Sequence, residues 1–203
     1  RLLAATDMMR TPCNETDLSL SMSRQTCLTR CLKVDYYRSA MTPSSPLSAR
    51  DRILQTASRL FYQEGLRATG IDRIIAESGV AKMSFYRSFA SKNDLIAEFL
   101  RQRHATWMQR FRTSVESALA APGAGLEVMA DVLEEWFREP DFRGCAFINT
   151  LAESGPGNGE DVAIARAHKA ELEAYVTEVA VRLGMPVPAS VAAMAMLIIE
   201  GAI

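Results

Sequence analysis

Gly79 stands alone between two short segments of helical apolar spacing, and no other feature of this chain restricts its fold as tightly. Before it, Ile71, Ile74 and Ile75 recur at helical intervals behind Thr69, which is expected to cap the segment. After it, "VAKMSFYRSF" (80–89) places Phe85 and Phe89 one turn apart on a helix beginning near Ala81. The glycine supplies the positive φ that a tight turn between crossed helices needs. Upstream, Ser48 is a candidate N-cap for a helix carrying Ile53, Leu54, Ala57, Leu60 and Phe61, stopped at Gly65. Ser91 opens a longer helix running toward Ala120. The spacing therefore predicts a three-helix helix-turn-helix module over residues 48–95.

In such a module the second helix of the pair meets the major groove of DNA, its N-terminal residues reaching the base edges. The residues of "AKMSFYRSF" divide accordingly. Phe85 and Phe89 hold the helix on the core, while Lys82, Met83, Ser84, Arg87 and Ser88 stay on the outer surface. Tyr86 is expected to reach a phosphate through its hydroxyl. Thr69 and Lys92 stand where helices begin, so that backbone N–H groups join them in clamping phosphates. The stretch carries no carboxylate, histidine or thiol for catalysis.

Charge is distributed in the same sense. Residues 50–103 hold ten Lys/Arg against six Asp/Glu, whereas residues 104–203 hold seven against fourteen, although the whole chain has a formal net charge of −1. A basic module joined to an acidic one suits a first half that meets a polyanion. The remaining periodic segments, 126–137, 145–153, 160–183 and the apolar run from Ala189, are all helical in spacing, so the expected fold class is all-α. The body is expected over 96–203, with the border inside the fourth helix.

"TGIDRIIAESGVAKMSFYRSFASKNDL" (69–95) closely resembles the DNA-binding signature of the tetracycline-repressor family of bacterial regulators. Thr69, Ile74, Gly79, Val80, Phe85, Tyr86, Phe89, Lys92 and Leu95 carry the match, which extends back through "RILQTASRLFYQEG" (52–65). The resemblance implies that Thr69, Tyr86 and Lys92 contact phosphates and that Lys82, Met83, Ser84 and Arg87 approach the bases. Met83 departs from the small residue or proline common in the family, so no operator sequence carries over. It further implies a repressor that binds palindromic double-stranded DNA as a homodimer and is released by a small-molecule effector.

Two features of residues 96–203 fit that implication. Leu172, Val179 and Leu183 lie on one seam of the 160–183 segment. With Met194 and Ile198 in the apolar run after it, they are the candidate dimer interface. Trp107, Phe111, Met129, Leu133, Trp136, Phe147 and Tyr175 form a bulky set that either lines a pocket or fills the core. Asn149 and Thr150 are the polar candidates for orienting an effector. "RGC…N…E", here Arg143, Gly144, Cys145, Asn149 and Glu153, recurs in some family members. Cys145, at an expected helix N-terminus, is a candidate effector contact or a thiol sensor.

Other classes find less support. No run approaches the roughly 20 apolar residues of a membrane span, and no signal peptide opens the chain, so the expected compartment is the cytoplasm. Cys27 and Cys31 lack a second pair for zinc; no metal or cofactor is expected. His104 and His168 have no nucleophile–base set around them, which leaves a helical enzyme as a remote alternative, and a dimeric regulator without effector as a nearer one. Residues 1–47, ending in the Pro/Ser-rich "TPSSPLS" (42–48), are expected to be a disordered arm or upstream sequence preceding a start at Met41. "IIEGAI" (198–203) carries no helix-ending signal, so the chain is expected to be truncated there.

Overall fold

The computed structural model describes residues 47–155 and 159–203, with no strand among the described residues. The expectations for residues 1–46, including Cys13, Cys27, Cys31 and Met41, fall outside the described residues.

The first helix, α1 (Ala49–Glu64), begins where Ser48 Oγ accepts the Asp51 N–H at 3.2 Å and ends at Gly65 with φ 93°. Helices α2 (Ile71–Ser78) and α3 (Lys82–Ser88) are separated by Gly79, whose φ of 63° is left-handed. An L side chain at that position is strained by contact with the following carbonyl. The C-terminal end of α2 is capped from α1, since Arg52 Nη1 donates to the carbonyls of Ser78 and Gly79 at 3.3 Å each. Helix α4 (Lys92–Leu119) starts behind Ser91, whose Oγ accepts the Asp94 N–H at 3.1 Å.

Thr69 is not the cap of α2. Gly70 holds that position without a side-chain bond, and the fully buried Thr69 turns its hydroxyl back to the Gly65 carbonyl at 2.8 Å. The turn between α1 and α2 contains a partly buried carbonyl, and Thr69 donates to it. This removes the Thr69 side chain from any phosphate contact.

Four further helices complete the described fold: α5 (Val128–Phe137), α6 (Ala146–Ser154), α7 (Glu160–Arg182) and α8 (Pro188–Ala202). One apolar core joins α1–α4 to α6 through Ile53, Leu60, Ile74, Phe85, Phe99, Leu100 and Phe147. A second lies among α4, α5, α7 and α8, with Met108, Phe111, Leu133, Val176 and Val179 at its centre. The long α4 belongs to both.

Leu172 and Val179 are 1% and 0% exposed and pack inside this second core, so they are not interface residues. The apolar seam of α7 faces its own chain. What α7 and α8 leave open is a different strip, with Val181, Met194, Leu197 and Ile198 between 59% and 75% exposed and Leu183 at its edge.

Candidate nucleic-acid interface and effector cavity

Helix α3 presents its polar face outward because Phe85, fully buried, and Phe89 fix the opposite face on the core. Lys82, Met83, Tyr86 and Arg87 are exposed, Met83 at 74%. Ser84 and Ser88 are half-buried, and Ser88 Oγ donates to the Ser84 carbonyl at 2.9 Å. Its hydroxyl is thus partly committed to the helix. Lys82 Nζ lies 3.5 Å from Asp72 on α2, a weak surface pair that a phosphate readily displaces. Lys92, in the first turn of α4, is half-buried. The arrangement offers two cations, a phenol and hydroxyls on one convex ridge, with the uncapped N-terminus of α2 beside it.

Within the body, a cavity of about 10 Å³ opens beside α4, α6 and α7. That is room for about one water. Of the residues expected as effector contacts, Trp107, Trp136 and Cys145 line it, and Phe111, Met129, Leu133 and Tyr175 do not. Those four fill the second core, and the Tyr175 hydroxyl is spent on Glu116 at 2.9 Å. Asn149 is exposed, donates to the Arg143 carbonyl at 2.9 Å and does not line the cavity. Cys145 is a buried free thiol whose Sγ lies 3.5 Å from Lys169 Nζ. Burial shields it from bulky electrophiles, against the thiol-sensor reading.

Several lining residues escaped the sequence reading. His168, 2% exposed, stacks on Phe147 with ring centroids 3.8 Å apart. Its Nδ1 meets His104 Nδ1 at 3.1 Å, and His104 Nε2 meets Glu171 at 3.1 Å. Burial, then the positive charge of Lys169 and the proximity of His104, hold the His168 imidazole down to about 3. His104 therefore does have partners, though 64 and 67 residues away in sequence. Arg103 also lines the cavity and lies over the Tyr62 ring at 4.0 Å.

The cavity and the α1–α2 elbow meet at α6. At one end of that helix, Tyr62 Oη donates to the Gly144 carbonyl at 3.0 Å and accepts the Arg143 N–H at 3.1 Å. At the other, Glu153 accepts the Arg67 N–H at 2.7 Å. Cys145, Ala146 and Phe147, at its start, line the cavity. Arg143, Gly144 and Glu153 thus grip both sides of the α1–α2 elbow, with Asn149 holding the Arg143 carbonyl and Cys145 facing the cavity. No single residue in that pattern showed this, because the partners of the grip, Tyr62 and Arg67, lie some 80 residues upstream.

Among the described residues there is no cluster of three metal-ligating side chains and no helix long and apolar enough to cross a membrane. The comparisons with known proteins agree with the geometry of the head. Residues 53–99, which run from α1 to the first turns of α4, match the family described as bacterial regulatory proteins, tetR family. The HTH-type transcriptional repressor KstR2 of Mycolicibacterium smegmatis is 42% identical over 60 residues, covering 30% of this chain and 29% of that protein. The chain thus matches less than a third of that relative's length. A crystal structure of a TetR-family transcriptional regulator from Streptomyces coelicolor aligns with TM-score 0.67 and 33% identity over 76% of this chain and 81% of the other. A tetR transcriptional regulator from Streptomyces avermitilis aligns at 0.64 and 29% over 77% and 84%. With the helix-turn-helix ridge, the helical body behind it and a relative matched over most of its length, the chain belongs to the tetR family of bacterial regulatory proteins.

Proposed function

We propose that this protein is a ligand-responsive repressor that binds a palindromic operator as a homodimer. Residues 48–95 act as the reading head and 96–203 as the regulatory and dimerising body. Lys82, Met83, Ser84 and Arg87 approach base edges in the major groove, while Tyr86 and Lys92 bind phosphate. The strip of Val181, Met194, Leu197 and Ile198 meets the same strip on a second copy, as an isologous contact requires. The repressor direction rests on the name of the mycobacterial relative.

The observation that carries the reading is the double grip of α6. One helix both walls the cavity and holds the α1–α2 elbow, so a change in the cavity reaches the head without passing through solvent. In the form described, the cavity admits no more than about one water. An effector must therefore displace a wall, and the form it stabilises differs from this one. That difference in affinity between two forms is what a ligand needs to shift an equilibrium.

The test is a gel-shift titration on the DNA flanking the protein's own gene, and on sites selected from a random pool, at two salt concentrations. Selective binding to a two-fold site, weakening steeply with salt, is expected. Salt-sensitive binding with no sequence selected from the pool would overturn the operator reading.

A further inference from the structure

Resting on the reading of the cavity as the effector site, we infer that His168 is the effector's polar anchor. Its ligand is accordingly a flat aromatic molecule bearing a neutral hydrogen-bond donor, of the phenol class.

The argument begins at Glu171. A carboxylate only accepts hydrogen bonds, so the His104 Nε2 that lies 3.1 Å from it carries the proton. In the neutral form of His104 the single N–H is the one facing Glu171, and Nδ1 is an acceptor. That atom is 3.1 Å from His168 Nδ1, so His168 must supply the proton there. His168 Nε2 is then a bare lone pair. It has no hydrogen-bond partner among the described residues, although the ring is 2% exposed and lines the cavity. Burial keeps the ring neutral, with its pKa near 3, so the lone pair persists at physiological pH.

An acceptor on a cavity wall with no protein donor takes its hydrogen bond from water or a ligand. The cavity's volume of about 10 Å³ suits one water in the form described, and a ligand hydroxyl takes the place of that water. The rest of the ligand meets aromatic walls: Phe147 lies flat on His168, and Trp107 stands edge-on to it at 5.3 Å. Flat rings pack well against such surfaces. A carboxylate is disfavoured, because the lone pair repels it and the nearest ammonium, Lys169, is already bound to Glu200 at 2.5 Å. Trp107, half-buried, is the wall that yields to admit the ring.

Equilibrium dialysis of the full chain at pH 8, where imidazoles are in their neutral form, tests this with 2-naphthol and 2-methoxynaphthalene. The two probes share a ring system and differ in the donor. Retention of the naphthol at least ten-fold more tightly is expected, with the preference falling to about two-fold or less in His168→Phe. In His104→Phe, which frees the tautomer without touching the cavity wall, the preference should fall several-fold while the methoxy probe binds as before. Equal retention of both probes by the native chain, or retention of neither, would overturn the inference. A parallel gel shift separates it from the regulatory reading. Preferential retention with no effect on operator binding upholds the anchor and overturns the regulation. Operator release by both probes alike does the reverse.

Discussion

Substituting Leu197 by Asp should abolish dimerisation while leaving the single chain folded. Leu197 is 75% exposed, and Met194 and Ile198 beside it are 61% and 71% exposed, so none of them supports the core of its own chain. Fully burying such a side chain is worth roughly 1.5–3 kcal/mol, so covering one already about two-thirds open contributes roughly 1–2 kcal/mol. Across a two-fold axis each residue counts twice, and the three together supply roughly 6–12 kcal/mol. That is comparable to the roughly 4–15 kcal/mol that association costs in lost freedom and ordering. Removing Leu197 from both copies therefore forfeits roughly 2–4 kcal/mol. Two carboxylates facing one another add a further penalty of at least about 2 kcal/mol. Together these predict a dimer dissociation constant raised by about a thousand-fold or more, at about 1.4 kcal/mol per factor of ten. Sedimentation velocity across nanomolar to micromolar protein reads this directly, with far-UV circular dichroism as the control on folding. A variant that sediments as the same dimer at the same concentrations would refute the placement of the interface on α8.

Three other outcomes are expected. Tyr86→Phe should weaken DNA binding several-fold on every sequence alike, because a phosphate contact carries no base information; binding curves on the operator and on a scrambled site check it. Tyr62→Phe should cost about 1–3 kcal/mol, because it strips the donor from the Gly144 carbonyl and the acceptor from the Arg143 N–H. Calorimetry should show a melting point lower by roughly 3–8 °C. Stability should also fall between pH 7 and pH 5. The His168 pKa lies near 3 in the folded chain and near its ordinary 6.5 when unfolded, so between these values only the unfolded chain takes the proton. The contribution is complete above pH 6.5 and declines below it, by about 2 kcal/mol at pH 5. His168→Gln should lack that share of the loss in urea titrations at the two pH values.

Local chemistry made the ends of the helices legible in the sequence. Ser48, Ser91, Gly65 and Gly79 act on backbone groups within four residues of themselves, and each does what its residue type suggests. Thr69 is the instructive exception. Its hydroxyl had two possible partners, in the helix ahead and the turn behind, and it donates to the carbonyl of Gly65. Periodicity revealed that α7 has an apolar face, but the partner of that face is a tertiary fact. Leu172 and Val179 turned inward, while Met194 and Ile198 of the nearly all-apolar α8 remained open. The His104–His168–Glu171 chain was out of reach for a simpler reason. Two of its members lie on α7 and one on α4, and no local rule joins residues so far apart. Asn149 looked like a ligand group because it is polar in an apolar helix; the exposed side of that helix had not been identified.

The double grip of α6 sets a mechanical tolerance. Nine residues of helix span about 13 Å, so a swing of only about 5° about the Tyr62 end carries the Glu153 end roughly 1 Å. A displacement of that size stretches the 2.7 Å bond to Arg67 N–H beyond hydrogen-bonding range. A Cβ at Gly65 would stand 3.0 Å from the Glu153 carboxylate, so a methyl group there forces that carboxylate to shift. The elbow is thus a latch of fine tolerance, and a motion far smaller than the cavity's own ligand is enough to release it.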